Sequence, residues 1–138
     1  MFHATQVVTM DAPIDTVWQT ISDFETGSKY LAMVTHCVVQ GQGVGALRTL
    51  TYLDGSVIVE RLETVDEAAH SLSYTLVSDT PFCNCLTTMG LRALGPAQAE
   101  LNWTANFEPI GLPVNEAVSL MEGMLADNCQ ALKRLLER

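Results

Sequence analysis

The sequence predicts an α+β fold in which a curved antiparallel sheet of about seven strands wraps round a long C-terminal helix, with two short helices after the first strand. Three observations carry that expectation. Residues 34–107 form a series of β-type runs separated by turn signals, with no convincing helical period between them. The last stretch runs from Pro113 to Arg138 without another proline and repeats apolar residues at spacings of four and three. Of the 138 residues, 48 % are hydrophobic and 17 % charged, and the mean hydropathy is +0.19. A domain of this length already has core enough for stability, so surplus apolar side chains are free to line a cavity.

Phe2 to Met10 reads as a strand, with Val7 and Val8 and little helix-forming character. Asp11-Ala12-Pro13 then offers an N-cap and a first-turn proline. Ile14, Val17, Trp18 and Ile21 follow at helical spacing, which gives a short amphipathic helix over 13–23. Phe24 to Leu31 is a second, weaker helical turn. Strands are expected near 34–40, 45–53, 56–65, 70–78, 85–94 and 98–107. Gly41-Gln42-Gly43 joins the first two of these, and Asp54-Gly55 is a two-residue hairpin signal of the type I′ kind. The segment Ser78–Asn84 is longer than a tight hairpin needs, and long loops are where binding residues tend to sit.

The terminal helix is expected over 113–137, with Val114, Val118, Met121, Leu125, Cys129, Leu132 and Leu136 as its stripe. About 25 residues at 1.5 Å each give roughly 37 Å, and only the sheet is large enough to cover such a stripe. Gly123 costs about 1 kcal/mol relative to Ala in mid-helix, which points to a close backbone approach or to missing volume.

Seven Lys and Arg against 16 Asp and Glu leave a net charge of −9. Such a field repels phosphate backbones and anionic lipid surfaces, so no nucleic-acid partner is expected. No apolar run approaches the ~20 residues that span a bilayer, so no integral membrane segment is expected. Met1 to Thr5 carries no basic region followed by an apolar block, which predicts a cytoplasmic location, and the length fits one domain over 1–138. In that setting Cys37, Cys83, Cys85 and Cys129 read as reduced core thiols. Cys83-x-Cys85 lacks a second cysteine pair, and His3, His36 and His70 share no metal-ligand spacing, so neither a metal nor another cofactor is expected.

Strand, short helix pair, six strands and long terminal helix is the order of the helix-grip fold. Glu60-Arg61-Leu62-Glu63 with Asp66, then Ser73-Tyr74, a proline loop ending in Asn84, Trp103 to Phe107, and Leu112-Pro113 carry a closer likeness. Together they resemble the START-like (SRPBCC) polyketide cyclase/dehydrase and lipid transport superfamily, whose relatives include the birch pollen allergen and the plant abscisic-acid receptors. The resemblance covers essentially the whole chain. It implies a mostly apolar cavity between the concave sheet face and the terminal helix, with a mouth gated by the loops 53–56 and 78–84.

The resemblance further implies that Glu60 points into that cavity, so Ile58 and Leu62 share its face while Val57, Val59 and Arg61 face outward. The same matching turns Tyr74 and Leu76 inward on the next strand, and Cys85, Thr87 and Met89 beyond the loop, where Phe82 also lies. Trp103 and Ala105 follow on the last strand, and Val118, Met121 and Leu125 on the helix. The implied function is binding or transport of a small hydrophobic ligand, such as a lipid, isoprenoid or polyketide-like compound. The alternative is a cyclase, dehydratase or isomerase with Glu60 as acid or base and Tyr74 as its helper. The plant receptors hold their hormone's carboxylate with a lysine where this chain has Thr35, so abscisic acid is not the expected ligand.

A carboxylate on an apolar wall has its charged form disfavoured, and Glu60 could then exchange protons or donate a hydrogen bond to a ligand oxygen. The other reading is a structural carboxylate bonded to a neighbour. Tyr52 and Tyr74 offer polar tips in an apolar wall and are equally plausible as core aromatics.

Overall fold

The computed structural model of the chain describes residues 1–78 and 80–137. Asp79, within the loop expected at 78–84, and Arg138 lie outside the described residues. The chain runs β1 (Phe2–Met10), α1 (Ile14–Ser22), a 3₁₀ turn (Phe24–Thr26), α2 (Gly27–Tyr30), β2 (Val34–Gln40), β3 (Leu47–Tyr52), β4 (Val57–Asp66), β5 (Ser71–Leu76), β6 (Phe82–Gly95), β7 (Gln98–Pro109) and α3 (Val114–Leu136). The strands form one antiparallel sheet in the order β1-β7-β6-β5-β4-β3-β2, as the α+β helix-grip reading requires.

The sheet curves because its registers slip. Irregularities interrupt β2 between Val34 and His36, β4 between Leu62 and Thr64, and β6 between Cys83 and Leu86 and again between Ala93 and Gly95. Each extra residue bends its strand and sharpens the local twist. Inside the bend sit Leu101, Trp103, Ala105 and Phe107 of β7, all fully buried, against Met89 of β6. A buried side chain of this size stabilises the fold by roughly 1.5–3 kcal/mol. α3 crosses this surface over β1 and β7 and meets α2 on its way.

Two local expectations change. The β3–β4 turn is not type I′, because only Gly55 has a positive φ (+85°). Gly55 N–H donates to the Tyr52 carbonyl at 2.9 Å, and Tyr52 N–H donates to the Ser56 carbonyl at 2.9 Å, so the loop is the three residues Leu53-Asp54-Gly55. The strand after the proline loop starts at Phe82 and not at 85, since Phe82 and Cys83 pair with Pro109 and Glu108 before Asn84 breaks the ladder at φ +52°. His70, at the β4–β5 turn, is half-buried. Its ring meets Trp18 edge-on at 5.6 Å, while Trp18 Nε1 donates to Glu67 Oε2 at 2.6 Å and ties α1 to that turn.

On α3 the buried residues are Ala117, Met121, Leu125, Cys129 and Leu132, so the apolar seam begins one turn later than the expected stripe and leaves Val114 exposed. Gly123 lies on the outer face, where a Cβ would meet nothing within 4 Å. Of the two readings for Gly123, close approach is therefore absent; it occurs at Gly27, where a Cβ would lie 3.1 Å from Leu50 Cδ2 and 3.2 Å from Cys37 Sγ. No helix among the described residues is long and apolar enough to cross a membrane.

Candidate functional site

Between the concave face of β3–β6 and the middle of α3 lies a cavity of about 280 Å³. Period-two alternation brings Ile58 and Glu60 of β4, Tyr74 and Leu76 of β5, and Cys85 and Thr87 of β6 to its wall, the slip in β6 adds Phe82, and Met121 and Leu125 of α3 close it. Tyr52, Met124 and Asn128 also border an adjoining compartment of about 340 Å³, which is completed by Ala32, Met33, Leu53, Asp54 and Asp127. Met33 and Leu53 are 64 % and 70 % exposed, so this compartment is the mouth.

Five expected wall residues lie elsewhere. Met89, Trp103 and Ala105 face inward as expected but are fully buried in the core outside the cavity, with Ala105 paired to the wall residue Thr87 and Tyr30 of α2 packed on Trp103 with ring centroids 6.2 Å apart. Leu62 borders a separate open hollow of about 500 Å³ at the other end of the sheet, beside the Gly41–Gly43 turn. Val118 is half-buried on the core and outside the cavity. Val57, expected to face outward, reaches the wall at the end of its strand. Asn84 is exposed and donates to Glu108 Oε2 at 3.3 Å, away from the cavity.

The side chain that sequence reasoning missed is Arg48. It pairs directly across from Glu60 on β3, is 1 % exposed, and its Nε donates to Glu60 Oε1 at 2.8 Å. Nη2 also lies 2.8 Å from that oxygen but without an aligned hydrogen bond, so among the described residues it has no hydrogen-bonded partner. The guanidinium is held between two rings, 4.1 Å from the Phe24 centroid and 4.9 Å from that of Tyr74. Burial works against the Arg48 cation, yet Glu60 and the phenols of Tyr30 and Tyr74 outweigh it and hold the cation above its ordinary range. Glu60 is therefore paired, and the apolar wall expected around it is broken by a buried cation.

Tyr74 Oη accepts from Trp103 Nε1 at 3.2 Å, both groups buried. Burial, and then the Glu60 charge, push the Tyr74 phenol well above its usual range. The same two causes carry Tyr52 up to about 12, and burial raises the Cys85 thiol. At neutral pH the wall thus presents phenols and a thiol in their neutral forms, beside a Glu60 that is ion-paired with Arg48.

A long helix gripped by a seven-stranded sheet over a hollow with this wall defines a START-like domain. The chain belongs to the polyketide cyclase / dehydrase and lipid transport family, which it matches over residues 1–137. It is 36 % identical over 74 residues to the abscisic acid receptor PYL6 of Arabidopsis thaliana, a stretch that is 49 % of this chain and 34 % of the receptor. The chain thus spans about a third of that relative's length. XoxI of Bacillus cereus superposes with a TM-score of 0.90 at 25 % identity, over 99 % of this chain and 96 % of that one. The Zhui aromatase/cyclase of a Streptomyces species shares the fold, with a TM-score of 0.76 at 18 % identity over 98 % and 90 % of the two chains.

Proposed function

We propose that this protein binds or carries a small hydrophobic molecule, a lipid, isoprenoid or polyketide-like compound, in the cavity between β3–β6 and α3. The observation that carries the reading is the cavity itself: about 280 Å³, walled mostly by apolar side chains and opening through a second compartment lined by Met33 and Leu53. Packed cores leave few voids larger than a water molecule, so a hollow of this size is built for an occupant. Removing apolar ligand surface from water at roughly 25 cal/mol per Å² drives the binding. The family's name and the ligand named for the plant receptor support the same class of function.

Native mass spectrometry after exposure to a lipid and natural-product extract tests this. A retained apolar species is expected on the unaltered chain, and Leu125→Trp, which fills the cavity from α3, abolishes it. Equal retention by the filled variant places binding elsewhere and overturns the proposal. The enzymatic alternative needs a proton-exchanging Glu60. Supporting the carrier instead are the Arg48 bond to Oε1 and the Trp103 bond that occupies Tyr74.

A further inference from the structure

The chemical class of the ligand's buried end follows from how the charges around the cavity are arranged; this inference rests on the ligand-binding reading above. Among the described residues, the walls of the cavity and its mouth compartment carry no Lys, Arg or His. Their charged side chains are Glu60 within and Asp54 and Asp127 at the mouth. The nearest cation, Arg48, is behind the wall: it is 1 % exposed, is stacked between Phe24 and the wall residue Tyr74, and is ion-paired with Glu60.

Within the pair the two carboxylate oxygens differ. Oε1 takes both close approaches of the guanidinium, Nε and Nη2 at 2.8 Å each. No hydrogen bond among the described residues uses Oε2, while 13 % of the Glu60 side chain remains exposed. The site is therefore an oriented acceptor whose charge is already balanced from behind. An ionised acid entering here would pass Asp54 and Asp127 and then face a carboxylate with no cation on its own side, at the full cost of burying an uncompensated charge. An ether or hydrocarbon would fill the space and leave Oε2 unanswered. A hydroxyl answers it, and hydrogen bonds to a charged acceptor are among the stronger ones.

We propose that the cavity selects apolar molecules ending in a neutral hydroxyl, phenolic or alcoholic, which donates to Glu60 Oε2, and that it discriminates against the corresponding carboxylates. The neighbouring phenols support this selection, since Tyr74 and Tyr52 stay protonated and add no competing charge.

Calorimetric titration of the whole chain at neutral pH with naphthalene, 2-naphthol, 2-methoxynaphthalene and 2-naphthoate separates the possibilities. Expected is binding of naphthalene, with 2-naphthol about tenfold or more tighter than its methyl ether and 2-naphthoate weakest. Glu60→Gln alone would strand Arg48 and could unfold the chain, so the second arm uses the paired variant R48M/E60L, which removes both charges. That variant is expected to bind naphthol and its methyl ether within about twofold of each other. Equal affinity for naphthol and its ether in the unaltered chain, tighter binding of naphthoate, or a naphthol preference that survives R48M/E60L overturns the hydroxyl selection and leaves the cavity reading intact. If naphthalene and all its derivatives fail to bind, the ligand-binding reading falls, and this inference falls with it.

Discussion

Arg48 Nε lies 2.8 Å from Glu60 Oε1 across a directly paired position of β3 and β4, with the arginine buried and the carboxylate reaching the cavity. The two groups are energetically one object. Taking Glu60 to Gln leaves the Arg48 cation in the core without its counter-charge, and about 3 kcal/mol or more of stability is expected to go. The paired change R48M/E60L removes both charges and substitutes apolar volume, so its stability is expected within about 1 kcal/mol of the unaltered chain, or above it. Urea denaturation of the three proteins decides. A single variant as stable as the parent, or a double variant as damaged as the single, contradicts the pairing argument.

Tyr74 and Trp103 form the second buried polar contact of the site, Nε1 to Oη at 3.2 Å. Tyr74→Phe keeps the ring against Arg48 and Phe24 but leaves the indole N–H without an acceptor. The expected loss is about 1–3 kcal/mol, the cost of an orphaned buried donor. It appears as a lower denaturation midpoint at unchanged m-value, since the surface exposed on unfolding does not alter. An unchanged midpoint means that this bond contributes nothing.

Much of this architecture is legible in the sequence, and the misses have physical causes. Period-two alternation places Ile58, Glu60, Tyr74, Leu76, Cys85 and Thr87 on one wall because every second residue of a strand shares a face. Alternation gives the face and not what packs on it, so Met89, Trp103 and Ala105 carry the right parity and are buried in the core, outside the hollow. Arg48 was hidden by one residue of turn. A two-residue Asp54-Gly55 loop would pair residue 48 with Arg61 on the outer face. The observed three-residue loop shifts the register by one and sets Arg48 against Glu60. Nothing in local propensity distinguishes the two turns strongly, because Asp-Gly suits both, and a buried arginine runs against the usual preference of that residue for the surface.

Alkaline pH tests the burial of α3. Burial alone raises the Cys129 thiol from 9.0 to about 11. In the unfolded chain the thiol loses its proton from about pH 9, while the folded state keeps it. Stability from this group is therefore complete below pH 9 and is lost as pH climbs toward 11. The melting temperature is expected to fall across that window, and to fall less steeply in Cys129→Ala, although the variant starts lower because of the volume removed. Parallel curves for the two proteins would show that the thiol is not held protonated by burial.

Two glycines in helical segments should answer oppositely to the same added methyl group. Gly123 sits in the interior of α3 with open space where its Cβ would be, so Gly123→Ala gains helix propensity with no steric charge against it, and about 0.5–1 kcal/mol of stabilisation is expected. Gly27 opens α2 with Leu50 Cδ2, Cys37 Sγ and Leu31 Cδ1 at 3.1, 3.2 and 3.3 Å from the same position. All three must move together in Gly27→Ala, which outweighs the propensity gain and costs about 1 kcal/mol. α2 also carries Tyr30 onto Trp103, so the displacement propagates to the floor beneath the cavity. Thermal melts of the two variants beside the parent measure both signs at once: a rise for position 123 and a fall for position 27 are expected. A fall at both would mean that α3 needs its glycine for a contact this packing does not contain.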